Sequence, residues 1–259
     1  MNNQLCDYPT KSLSGVGVVY KLCQFIDSLL PADQQKADQF LDIVAIGLVG
    51  DMMDLRDFET HYLVQTGLNQ IQNPFIKGMA EKNHYQLGDH PTPIGVAFYI
   101  VPLINSITRV GTMTEKTLLF ESMLNWKAFD LVPSTKRGCS GQQETRLEQS
   151  LRTCTNVKNR QTRNQDAAVE QVKAIIEDNK LLDHKILLIK LEHPSFDRGI
   201  TGLIANKLMA EYQRPVALLV EVEEDGKIAW SGSARGYEKS KLNDFRGFCR
   251  DSGLVYLAE

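Results

Sequence analysis

Residues 144–178 contain neither proline nor glycine and are dense in charged and polar side chains. Nothing there interrupts helical hydrogen bonding, so the stretch predicts one long, solvated helix. A helix of that length divides the chain into an upstream and a downstream part. Downstream the texture changes: KILLIKLE, PVALLVEVE and KIAWSGSA read as strands, with residues 200–212 helical between the first two. Strand, helix, strand predicts a βαβ unit with a parallel pair. The Glu224-Asp225-Gly226 turn predicts a hairpin that adds an antiparallel strand.

Upstream the chain reads as helical. Residues 14–30 carry apolar side chains at Val16, Val19, Tyr20, Cys23, Phe25 and Ile26, an amphipathic helix entered through a turn at Gly15 and Gly17. Residues 57–80 form helices broken near Asn73-Pro74, and residues 115–126 form another. Residues 92–104 are apolar and lead into a PLINSITRVG loop. The stretch STKRGCSGQQ, residues 134–143, is the most linker-like of the chain. The expected division is therefore 1–133, a linker loop and long helix over 134–182, and a smaller mixed-sheet α/β domain over 183–259.

The most concentrated chemical signal is an apolar run that ends on a carboxylate. DIVAIGLVGDMMDL places Asp51 directly after Ile43 to Gly50. Periodicity does not decide between a buried strand and a buried helix for such a run. Gly47 and Gly50 would allow close backbone approach, as beside a phosphate or a metal. A carboxylate at that mouth needs a cation or donors to meet it; the structural alternative is that Asp51 caps a helix through Met52 and Asp54. Downstream, SGSARG (Ser231 to Gly236) follows a strand with small residues, hydroxyls and a guanidinium. Ser231, Gly232, Ser233 and Arg235 suit a phosphate contact there, against the plainer reading of a strand end with a solvated arginine.

The segments SLSGVGVVYKLCQ, DIVAIGLVGD, PLINSITRVG, HPSFDRGITGLIANKL and SGSARG, taken in order, resemble the RecJ single-strand-specific exonucleases of the DHH phosphoesterase superfamily. The resemblance covers nearly the whole chain. It implies the C-terminal part of a DHH catalytic domain, a long linker helix and a DHHA1-like accessory domain. It implies that Asp51 is a metal ligand for Mn²⁺ or Mg²⁺ and the one catalytic carboxylate carried here. It implies that Arg109, His193, Ser231, Gly232, Ser233 and Arg235 contact single-stranded DNA. The chain departs from the family's PRINAAGR pattern at Leu103 and at Ser106-Ile107-Thr108, while Arg109 matches the final arginine. No Asp-His-His triplet or DxD pair occurs, and Glu259 comes before the family's C-terminal Gly-His motif. The expectation is a piece of a longer enzyme, cut on both sides of those sites and inactive alone, since a two-metal hydrolase needs several ligands.

The implied activity is 5′ to 3′ exonucleolytic cleavage of single-stranded DNA in repair and recombination. Two alternatives stand beside it: a phosphodiesterase of oligonucleotides or cyclic dinucleotides, and a paralogue that binds strands without cutting. A net charge of −3 excludes a global basic field, so nucleic-acid binding would rest on local clusters such as Lys158 to Arg163. Five cysteines without a CxxC pair fit a reduced cytoplasm. The apolar runs look too short for a membrane span. His61, His84, His90, His184 and His193 show no metal-ligand spacing.

Overall fold

The apolar run before Asp51 is a helix. In the computed structural model, which describes residues 3–5, 7–139, 141–191, 198–224, 226–253 and 255, the chain divides into two units, Met1–Lys158 and Asn159–Glu259. The first is built from α1 (Gly15–Asp27), α2 (Leu41–Gly50), α3 (Phe58–Asn69), α4 (Pro74–Lys82), the single turn α5 (His84–Leu87), α6 (Pro93–Tyr99), α7 (Val101–Val110) and α8 (Met113–Ser122). Helix α2 is apolar on all sides, which is the pattern of a helix enclosed by others. Leu41, Val44, Ala45, Ile46, Leu48 and Val49 are all buried, and α1, α3, α6 and α7 pack around them.

The glycines of this run serve helix packing. A Cβ on Gly47 would lie 2.6 Å from Val16 Cγ1 of α1, and one on Gly50 would meet Val101 of α7 at 3.6 Å. The close approach expected beside a phosphate or metal is therefore to neighbouring helices. Across the same helix, a Cβ on Gly67 of α3 would stand 2.1 Å from the Leu41 carbonyl oxygen. Asp42, in the first turn of α2, is 2% exposed and accepts the backbone N–H groups of Gln72 and Asn73 at 2.8 and 2.6 Å. Asn73 in turn caps α4 through Phe75 N–H and donates its side-chain amide to Met123 O at 2.8 Å.

The segment expected as a PLINSITRVG loop is helix α7. Pro102 sits in its first turn, where no helical N–H is required of it. Ser106 and Thr108 donate their hydroxyls to the carbonyls three residues back, at 2.7 and 3.1 Å, so polar residues that resemble loop formers are satisfied inside the helix. Together Pro93–Val110 is long and apolar enough to match a minimal membrane-spanning window, contrary to the expectation of uniformly short runs. Here Val96, Ile100, Val101 and Ile107 enter the core of the unit.

The linker-like stretch 134–143 follows β1 (Leu131–Pro133), and its last residue, Gln143, opens β2 (Gln143–Thr145), which pairs antiparallel with β1 and sets Val132 opposite Glu144. Glu144 is buried and takes a two-point contact from Arg152, at 2.5 and 2.6 Å, plus the Thr135 N–H at 3.1 Å. That guanidinium holds the Glu144 carboxyl far below the usual carboxylate range. Arg152 lies on α9 (Arg146–Asp178), the long helix read from the absence of breakers. It is solvated on one side only: Ser150, Cys154 and Val157 are buried in its first half, and Ala168, Val169, Val172 and Ile176 in its second.

The second unit holds a three-stranded sheet, β3 (Leu187–Leu191), β4 (Val216–Glu224) and β5 (Lys227–Arg235), with α10 (Thr201–Tyr212) between the first two and α11 (Phe245–Asp251) at its end. β3 and β4 are parallel, and β4 and β5 antiparallel, as the strand–helix–strand–hairpin reading requires. Leu187, Ile189 and Leu191 alternate inward opposite Val216, Leu218 and Val220, and α10 buries Ile204, Ala205 and Leu208 in its packing against β4 and β5. Lys173 and Asp166 of α9 pair with Glu211 and Lys207 of α10, at 2.7 and 2.6 Å.

Candidate metal-binding aspartate and nucleic-acid interface

Asp51 is the C-cap residue of α2 and is exposed. It does not cap a following helix: α3 begins at Phe58, with Asp57 in the N-cap position. The chain leaves α2 through a Schellman motif, Met52 N–H to Val49 O and Met53 N–H to Leu48 O, both at 3.1 Å. Met52 occupies the left-handed position at φ 54°. This turn presents Asp51 at the negative end of the helix dipole, where a carboxylate is disfavoured unless a cation meets it.

No hydrogen bond or ion pair reaches the Asp51 carboxylate among the described residues. Its neighbour Asp54 is engaged: Arg56 contacts both its oxygens and holds its pKa down at about 2. A hard oxygen donor at a negative helix end fits Mn²⁺ or Mg²⁺ chemistry at one ligand position. Among the described residues, no group of three acidic, histidine or cysteine side chains forms a fuller cation site.

Arg109 lies in the last turn of α7 and is exposed. Since Gly50 faces Val101 at the start of that helix, Arg109 stands roughly 12 Å further along the α7 axis than the residue beside the Asp51 turn. Lys158 of α9 shares its field: burial, and then the Arg109 charge, push the Lys158 ammonium below its ordinary value. One member of the basic Lys158-to-Arg163 run thus has another cation as its electrostatic neighbour.

In the second unit, Ser231, Ser233 and Arg235 alternate on β5, opposite Val220, Leu218 and Val216 of β4. Those β4 residues are buried, so the face they share with β5 is the one that α10 covers. The Ser233 hydroxyl lies 3.1 Å from the Thr201 hydroxyl, in the first turn of α10. A Cβ on Gly202 would be 2.9 Å from Arg235 Nη2 and 3.3 Å from Ser233 Oγ. Arg235 Nη1 donates to the Ala234 carbonyl at 2.7 Å. A hydroxyl and a guanidinium therefore gather over the first turn of α10, which a 3-10 turn over Arg198–Ile200 leads into. Gly232 serves strand pairing instead, because a Cβ there would stand 2.0 Å from Leu218 O. His193 lies outside the described residues.

Sequence reasoning put Ser233 and Arg235 forward as phosphate contacts and gave no sign of Thr201 as their neighbour. The meeting of a helix start with a strand 32 residues downstream is tertiary, and no spacing rule in the chain announces it.

No family model matches the chain. It is 39% identical over its whole length to a Bacillus subtilis protein named as an SPbeta prophage-derived single-strand DNA-specific exonuclease, YorK, of which it covers 44%. It is 26% identical over 95% of its length to the single-stranded-DNA-specific exonuclease RecJ of the same species, covering 28% of that protein. Among solved structures, exonuclease RecJ bound to manganese superimposes with a TM-score of 0.57 at 19% identity, over 85% of this chain and 49% of that one. RecJ from Thermus thermophilus in complex with Mg²⁺ gives 0.56 at 20% identity, over 83% and 30%. The chain is RecJ-like in sequence and in fold, and spans less than half the length of the relatives it matches.

Proposed function

We propose that the chain works in the metal-dependent cleavage of single-stranded DNA, as the strand-holding part of a RecJ-like 5′ to 3′ exonuclease serving repair and recombination in the cytoplasm. The observation that carries this reading is the gathering of Ser233 and Arg235 over the first turn of α10, an anion contact in the domain that resembles an accessory nucleic-acid-binding domain. Arg109, with Lys158 beside it, offers a second phosphate contact in the other unit. The relatives are named for single-stranded DNA, which favours this reading over the oligonucleotide and cyclic-dinucleotide alternatives.

Asp51 would supply a carboxylate toward a Mn²⁺ or Mg²⁺ ion. When bound, such ions polarise the scissile phosphate and generate a nucleophilic hydroxide from water. The contribution of this chain's own residues is binding and orientation: Arg109, Ser233 and Arg235 fix the phosphates, and Asp51 fixes one ligand position. Because two-ion hydrolysis takes several ligands, the chain by itself holds the strand without releasing nucleotides.

The test is a paired assay on 5′-labelled single strands in Mn²⁺, with binding followed by anisotropy and nucleotide release by electrophoresis. Salt-sensitive binding without release is expected. Release that Asp51→Ala abolishes would show that the ligands present are sufficient, and absence of binding at low salt would remove the strand-holding role.

A further inference from the structure

Resting on that strand-binding reading, we propose that Thr201 and Gly202 are positioning residues for the recognition pair on β5: Thr201 sets the Ser233 hydroxyl, and Gly202 seats the Arg235 guanidinium. Arg235 is the last residue of its strand and carries a long, flexible side chain. Its Nη2 lies 2.9 Å from where a Cβ of residue 202 would stand, closer than real Cβ contacts come. The bare backbone of Gly202 is therefore the floor on which the guanidinium rests. The Thr201 and Ser233 hydroxyls are 3.1 Å apart, so the orientation of one decides the orientation of the other.

The electrostatics point the same way. The helical segment opens with a single 3-10 turn over Arg198–Ile200 and continues as α10, so its start is the positive end of a dipole, and Arg235 adds a full positive charge near that end. Two positive poles held together are unfavourable until an anion lies within reach of both. A phosphate of the DNA backbone supplies that anion, and packing of α10 on β5 holds the site in shape before it arrives.

Gly202→Ala separates positioning from folding. The clash is with the far end of a flexible side chain, so Arg235 moves while the helix keeps its seat, and alanine propagates a helix at least as well as glycine. The transition midpoint should be unchanged or raised. Affinity for a 3′-fluorescein oligothymidylate should fall about tenfold, and the log–log salt slope should fall by about one. Arg235→Ala should do the same, and the double variant should lose no more than either single one.

Thr201→Val should weaken binding, and Thr201→Ser, which restores the hydroxyl, should recover it. Wild-type binding by Gly202→Ala, or additive losses in the double variant, would overturn the seat assigned to Gly202. Failure of Thr201→Ser to recover binding would overturn the role of Thr201. If Arg235→Ala itself leaves binding and its salt slope intact, the β5 phosphate contact on which that reading rests fails and the inference falls with it. That outcome is distinct from an effect at Arg235 that Gly202→Ala does not share.

Discussion

The Asp42 carboxylate accepts the Asn73 backbone N–H at 2.6 Å from inside the helical core, so the start of α2 and the start of α4 share one buried charge. The same oxygen takes Gln72 N–H, and the other takes Ile43 N–H. Asp42→Ala removes all three acceptor contacts and leaves one buried donor, Asn73 N–H, and two part-buried ones without them. A loss of about 3 kcal/mol in urea unfolding is expected, since each orphaned buried donor costs roughly 1–3 kcal/mol. A loss below about 1 kcal/mol would mean that water reaches these amides and that the core is looser than described.

Asp51 and Met52 are predicted to be costs to the fold. Asp51→Ala takes a carboxylate away from a helix C-terminus and should leave stability unchanged or raise it by about 0.5 kcal/mol, while Mn²⁺ binding measured by calorimetry is lost. Met52→Gly relieves a side chain held at φ 54° and should stabilise by up to about 1 kcal/mol. Destabilisation by Asp51→Ala with Mn²⁺ affinity unchanged would assign the carboxylate to the fold.

Glu144 gives the chain an acid limb. Its carboxyl is depressed in the folded state, first by the Arg152 hydrogen bonds, so the resulting stability is complete above the ordinary glutamate value of about 4.3. It is lost as pH falls below that value toward the folded one. Arg152→Ala leaves the buried carboxylate with Lys136 at 3.4 Å, Gln149 and the Thr135 N–H but without its two-point guanidinium, and should cost about 3 kcal/mol at neutral pH, the low end for such pairs because Arg152 is a quarter exposed and Lys136 remains. Thermal midpoints read from about pH 7 down to about pH 3 should show the variant without the wild-type acid decline; an unchanged decline would locate it elsewhere.

Arg109 belongs to one unit and Arg235 to the other, so their contributions to strand binding are open to separate measurement. Replacing either with alanine should weaken binding to all base compositions alike and lower the salt slope by about one. A loss confined to particular sequences would mark base contacts instead.

The elements were legible where periodicity and punctuation agree. The breaker-free α9, the strand–helix–strand order and the break at Asn73-Pro74 all stand in the structure as read. Two features were not. PLINSITRVG carries proline, asparagine, serine and threonine, whose usual loop preference is overruled when the proline falls in a first turn and the hydroxyls bond back to carbonyls. Gly47 and Gly50 gave a correct signal of close approach, but a sequence does not say what approaches. At the candidate site, residue chemistry pointed to Asp51, Ser233 and Arg235, and the family resemblance alone pointed to Arg109. The Thr201–Ser233 contact depends on how α10 lies on the sheet, which only the fold specifies.

The missing Cβ of Gly67 has a consequence for how this chain can drift. Every single-base change to a glycine codon that alters the residue either adds a Cβ or stops translation. At position 67 any such Cβ would fall 2.1 Å from the Leu41 carbonyl oxygen, and backbone has no rotamer with which to step aside. Every missense neighbour of this codon therefore pushes α3 away from α2, the helix that ends at Asp51. The position is closed to gradual change, and a descendant lineage reaches another residue there only by first moving a helix.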